Sequence, residues 1–188
     1  MPDRLNLSLW ARHFEAGTML RHFEELLGVF PFSHLRPGIG ALRIYAVAYS
    51  EPTLFEQAFS QPVETAEIFE LCREFEHEDC AYAVEGWWEL WRYERDWQLA
   101  PSPVVLTCFG PAFEHDLEDH LRLDLGLESD FLPRPGAPQN ERKSQSNLAS
   151  LVRLARDIGG AMPIERRSLW SDSGESFADR LEDELPGR

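Results

Sequence analysis

Residues 82–94 read YAVEGWWELWRYE, three tryptophans, two tyrosines and three glutamates in one short run. Side chains alternate between the faces of an extended strand. One face therefore collects Val84, Trp88 and Leu90, and the other Glu85, Trp87, Glu89, Trp91 and Tyr93. A strand with one aliphatic side and one side of aromatics and acids belongs in an antiparallel sheet covered on a single face.

Upstream, Leu5, Leu7 and Leu9 alternate with Asn6, Ser8 and Trp10, which predicts a first strand over 5–12. Met19, Leu20, Phe23, Leu26, Leu27 and Phe30 recur at helical spacing, and Pro31 ends that helix. A second strand is expected from the alternation of Leu42, Ile44, Ala46 and Ala48, and a third over 53–59. A second helix carries Ile68, Leu71, Cys72 and Phe75 on one stripe. Strand, helix, strand, strand, helix, strand is the order of an α+β, ferredoxin-like split βαβ unit (βαββαβ), whose two helices cover one face of an antiparallel sheet.

Downstream, PVVLTCF at 103–109 and the alternating leucines 121, 123, 125 and 127 extend the sheet by two strands. Residues 128–146 hold three prolines and few hydrophobes, the composition of a loop or linker. A helix is expected from 147, capped by Ser146 or Asn147 and stopped by Gly159-Gly160; SLWSD, at 168–172, carries no convincing strand pattern. A last helix is expected to begin near Asp172 or Ser173, where Asp172 and Glu175 have capping-box spacing, and to carry Phe177, Leu181 and Leu185. The predicted organisation is a sheet domain over 1–127, a loop or linker over 128–146, and C-terminal helices over 147–188 packing on the same domain.

At 188 residues the chain buries roughly 70% of its extended surface, enough to fold without disulfides or structural metal. Three cysteines without a C-x-x-C point to reduced thiols and a cytoplasmic setting. Apolar runs such as IYAVAY at 44–49 fall far short of the ~20 residues that span a bilayer. A net charge of -15 repels phosphate backbones, which argues against nucleic acid and for solubility or a basic partner. Lys143 is the only lysine among 18 basic residues, a bias that genome composition explains.

Catalytic motifs are weak. Gly174-Glu175-Ser176-Phe177-Ala178 approximates a nucleophile elbow, but no histidine follows it, as that chain order demands. Gly38-Ile39-Gly40 precedes a strand instead of opening a helix, so it reads as a turn. Of the two histidine-acid strings, 77–80 and 114–120, only His115 and Asp119 have spacing that would place them together, two ligands without a third. Glu85 and Glu89 share a face but lie ~13 Å apart, too far to act as a pair. No catalytic residue, cofactor or metal ligand is assigned.

What remains is the uncovered face. Trp10, Arg12, Arg43, Tyr45, Tyr49, Glu85, Trp87, Glu89 and Trp91 form the candidate partner or ligand surface, in the aromatic and arginine composition of interfaces. The C-terminal helices, a second copy of the chain in a homodimer, or a ligand could cover it. The expected function is non-catalytic: binding a basic protein partner, or the chain's own copy. The rival is a small-molecule-binding or hydrolytic enzyme on the same face, with Arg12 or Arg43 placing an anion and Glu85 or Glu89 as acid or base.

Overall fold

The computed structural model describes residues 3–93, 95–132 and 141–172. They form an α+β fold around one seven-stranded sheet. In chain order the elements are β1 (Arg4–Ala11), α1 (Met19–Val29), β2 (Ile39–Ala46), β3 (Phe55–Ala58), α2 (Thr65–Glu74), β4 (Cys80–Tyr93), β5 (Trp97–Phe109), β6 (Leu121–Leu127), α3 (Glu141–Ala161) and β7 (Ile164–Ser171). The sheet order is β3-β2-β4-β5-β6-β1-β7, with every ladder antiparallel.

That order is not the ferredoxin-like one, which would set the first strand between the third and fourth strands. Instead β1 lies four places from β2, because β4, β5 and β6 fill the space between them. Short connections favour antiparallel neighbours over crossovers. The long β4–β5 hairpin forms the centre, with thirteen residue pairs from Ala81↔Phe109 to Tyr93↔Trp97.

Two further expectations change. Among the described residues of the segment read as a linker, Glu128–Asp130 form a 3-10 turn and α3 starts at Glu141, so Asn147 lies inside the helix instead of capping it. The SLWSD segment contributes to a strand after all: β7 pairs with β1 from Leu5↔Ser171 to Ala11↔Ile164. Its sequence, IERRSLWS, hides this because only Ser171 is buried, as suits an edge strand. The helix expected beyond Asp172, with its elbow-like GESFA, lies outside the described residues.

The core forms on one side of the sheet. Leu7, Leu9, Leu42, Ile44, Val84, Trp88, Leu90, Leu106 and Leu123 face Phe23 and Leu26 of α1, Ile68 and Cys72 of α2, and Leu151, Leu154 and Ile158 of α3. The three helices thus share one face, and α3 does not fold over the other. The face assignment made from residues 82–94 holds along β4, where even positions from Cys80 to Leu90 are buried, while Glu85, Trp87, Glu89 and Trp91 are half-buried.

β2 ends at Ala46, short of the alternation expected through Ala48, because Val47 adopts φ 68°. A β-branched residue in the left-handed region is strained. It is held there by its own backbone, whose N–H donates to the Asp79 carbonyl at 2.8 Å and whose carbonyl accepts from the Glu114 N–H at 2.7 Å. The side chain is half in solvent, so little packing depends on it. Val47→Asn, a residue that tolerates this conformation, is expected to raise unfolding free energy by about 0.5–1 kcal/mol in urea melts.

Candidate functional site

The nine candidate residues sit on the uncovered face, apart from Arg12 and Tyr49, which lie in turns beside it. They do not converge. Trp10 on β1 and Tyr45 on β2 are four strand spacings apart, ~19 Å, and Trp91 lies ten residues up β4 from Tyr45's partner Ala81, ~33 Å. A single pocket of Trp10, Tyr45, Trp87 and Trp91 is therefore not formed.

Nor are the charges free. Arg43 is bracketed by Glu56, at 3.0 Å, and by Glu85 on the next strand. Glu89 accepts from the His34 N–H at 2.8 Å and from Ser33 Oγ at 3.1 Å; the His34 bond, opposed by desolvation and helped by the Ser33 bond, holds its carboxyl below the usual range. An anion-holding arginine beside a working carboxylate does not exist at these positions. Arg12 is exposed.

The aromatics divide into two groups. Along the β4–β5 arm, Trp87 lies over Gly40, where a Cβ would stand 2.5 Å from its ring, and Arg36 stacks on it at 5.6 Å. Further up, Lys143 of α3 sits 2.9 Å from the Trp91 ring centroid, and Tyr93 packs on Trp97. At the other end, Tyr45, Tyr49, Phe109 and Phe113 make edge-on or tilted contacts that close a small second core with Ala81.

The free edges of the arm are closed. Beyond Gly86, where β2 stops, the Asn147 side chain stands in for a strand: its Oδ1 accepts from the Trp91 N–H at 2.9 Å and its Nδ2 donates to the Trp91 carbonyl at 2.7 Å. On the opposite edge, Pro101 and Pro103 lie in register with Glu89 and Trp87. Because the ladder to β4 runs through them, their missing N–H groups face the unpaired side.

No family model, curated protein or solved structure matches the chain. The assignment of a role rests on the geometry alone.

Under the 110–120 segment the uncovered face carries a buried polar cluster outside the sequence-based set. Asp119 is fully buried and accepts from Ser8 Oγ at 2.6 Å, from Arg122 Nε at 2.9 Å and from an Arg122 Nη at 2.6 Å. Trp170 Nε1 donates to Ser8 Oγ at 3.0 Å. Burial alone would raise the Asp119 carboxyl, but bonds from His115, Arg122 and Ser8, with the Arg122 charge, hold it well below the ordinary range. Ser8 and Asp119 are 111 positions apart, and only the β1–β6 pairing brings them together. The one signal in the sequence was the His115–Asp119 spacing, which operates here across a loop instead of a helix.

Beside this cluster opens a cleft of about 550 Å³, lined by Phe14, Phe109, Phe113, Glu114, His115, Glu118, Asp119 and His120 among others. Each imidazole is clamped by a phenyl ring: His115 stacks on Phe109 at 4.0 Å and His120 on Phe14 at 4.2 Å. The far face of Phe109 carries the Arg122 guanidinium at 4.9 Å. Burial holds His120 below the ordinary histidine range, and the Ala11 N–H, donating to Nδ1 at 3.0 Å, occupies a lone pair. Two further positive-φ residues flank the cleft, His13 at 56° and Glu118 at 52°.

Nucleophilic chemistry has little support. Ser8 donates to Asp119 instead of a base. All three cysteines are buried; burial pushes the Cys72 thiol up to about 12 and Cys80 to about 11, and holds Cys108 well above its ordinary range. Among the described residues no group of three His, Cys, Asp or Glu is arranged to hold a metal ion, and no helix is long and apolar enough to cross a membrane.

Proposed function

We propose that this chain is an interaction protein that holds a basic protein partner against the uncovered face of its sheet. The observation that carries this reading is the placement of all three helices on one side, which leaves Trp87 and Tyr45 on a face without a helical cover among the described residues, while Trp91 is met only by the Lys143 side chain at its end. Trp and Tyr dominate binding energy at protein interfaces. The closed edges of the β4–β5 arm favour side-chain recognition over strand addition, and the net charge of -15 selects and steers a basic partner while disfavouring nucleic acid. Buried, protonated thiols suit a cytoplasmic setting.

The rival enzyme reading loses one of its two anchors, because Arg43 is spent on Glu56 and Glu85, while Arg12 lies in a turn beside the face. A Trp87→Ser/Trp91→Ser chain is expected to keep its fold, with a melting temperature within a few degrees of the parent. It should bind the purified partner about 100-fold more weakly by calorimetry, as the loss of two aromatic anchors implies. Unchanged affinity, or partner-induced hydrogen-exchange protection confined to the helical face, would reject the proposal. Light scattering that shows a stable dimer at micromolar concentration would reassign the face to a second copy of the chain.

A further inference from the structure

We propose that the outward face of α3 is the docking site for the chain's own C-terminal segment, residues 173–188, and that the segment binds there as an amphipathic helix. Gln145, Leu148, Ala149, Val152, Arg153 and Arg156 recur at helical spacing and line a groove of about 400 Å³. Leu148, Ala149 and Val152 are its apolar part, and Val152 is 53% exposed, on a helix whose inward stripe of Leu151, Leu154 and Ile158 already fills the core. The groove is an apolar strip left over after α3 has packed on the sheet.

The point where the described chain ends selects the occupant. Asp172 is held at the start of β1, where its N–H donates to the Arg4 carbonyl at 3.3 Å and its carboxylate accepts from the Arg4 N–H at 3.3 Å. The neighbouring Asp3 carbonyl accepts from the Glu128 N–H at 3.0 Å, and two residues further on the Asp130 carbonyl accepts from Asn147 Nδ2 at 2.7 Å. These steps bring the exit of the chain to the level of Asn147, next to Leu148 at the start of the groove. As a helix, residues 173–188 measure ~24 Å, against ~16 Å from Gln145 to Arg156, so the segment is long enough to fill it.

Composition and charge agree with the path. Phe177, Leu181 and Leu185 fall four residues apart, on one stripe of a helix that Asp172 and Glu175 are spaced to cap. In a chain of net charge -15, α3 is locally basic, with Arg142, Lys143, Arg153 and Arg156 against Glu141 and Asp157. The segment is acidic where the groove is basic: Glu182, Asp183 and Glu184 follow Leu181 as Arg153 and Arg156 follow Val152. A parallel register therefore sets Phe177 at Leu148, Leu181 at Val152 and Leu185 along the aliphatic stem of Arg156, with the acids beside the arginines. Covalent tethering gives the segment an effective concentration that a separate peptide lacks, which suits so small a groove. Docked there, the segment lies on the helical side and leaves Trp87 and Tyr45 uncovered.

The test uses the full chain at neutral pH and low salt, with amide hydrogen exchange over 176–186 and nuclear Overhauser contacts as readouts. Contacts are expected from the Phe177 ring to Leu148 and from the Leu181 methyls to Val152. Val152→Asp, at an exposed position, should speed exchange over 176–186 by about tenfold or more, while exchange in the sheet and the melting temperature stay close to the parent's. Arg153→Glu/Arg156→Glu should do the same, and adding Glu182→Arg/Asp183→Arg/Glu184→Arg should restore slow exchange, a rescue that a general loss of fold would not give. Fast exchange over 176–186 in the parent, or slow exchange that Val152→Asp leaves unchanged, overturns the proposal. Protection that falls on about tenfold dilution also overturns it, by giving the groove to the segment of a second copy. Contacts from Phe177 to Trp87 or Tyr45 overturn it as well, and that outcome alone would count against the partner reading too, because the segment would then cover the sheet face.

Discussion

Replacing Asn147 with alanine is expected to lower unfolding free energy by about 3 kcal/mol, read from the urea midpoint at constant slope. The side chain is 1% exposed and spends its amide on three backbone groups: the Trp91 N–H, the Trp91 carbonyl and the Asp130 carbonyl. Alanine takes away all three bonds where little water reaches, at about 1 kcal/mol or more each. Against a typical total of about 5–15 kcal/mol this is a large fraction. Asn147→Asp keeps the shape and one acceptor but turns a carboxylate toward two carbonyls, so it should be at least as damaging at pH 7 and recover in acid. A loss below about 1 kcal/mol for the alanine variant would show that α3 does not brace the edge of β4.

Asp119→Ala is expected to cost about 3–5 kcal/mol, because it strands the Arg122 guanidinium against Phe109 and leaves Ser8 without an acceptor. The charge itself can be separated from the packing. Asp119→Ala/Arg122→Leu should recover a substantial part of the loss, since removing both ions leaves neither unpaired. If the double variant is no better than the single, the cost lies in packing and not in the ion pair.

The same cluster sets two limbs of acid sensitivity. His120 is held below its ordinary value, so as pH falls the unfolded chain takes up that proton first; its contribution to stability is full above about pH 6.5 and declines below it. Asp119 is also held low, so its contribution is full above about pH 3.9 and is lost as pH falls through the lower folded value. Urea midpoints between pH 8 and 3 should show the first limb and the onset of the second in the parent. His120→Gln should flatten only the first and Asp119→Asn only the second.

Periodicity made the strand faces legible. Once Trp88 and Leu90 were set on one side and Trp87 and Trp91 on the other, the sidedness of the core followed, and burial along β4 has that sidedness. Pairing order was not legible, because alternation says which face a residue takes and nothing about its neighbour across the ladder. That is why a ferredoxin-like order could be read from a chain whose β1 pairs with β6 and β7. β7 escaped notice for a related reason: an edge strand with mostly exposed side chains has no inward period to detect. Arg43 could be placed on the correct face, but Glu56, its partner from a short edge strand of uncertain parity, could not. The Asp119 cluster needed two strand registers and a loop path at once, and local spacing contains none of these.

The ring clamps have a consequence outside energetics. Protons held above the face of a benzene ring experience its induced magnetic field and resonate upfield of their usual positions. With His115 stacked at 4.0 Å and 11° on Phe109, and His120 at 4.2 Å and 8° on Phe14, the two imidazoles should resonate apart from the other histidines in a simple proton spectrum. The cleft therefore carries its own magnetic label, readable before any partner is known.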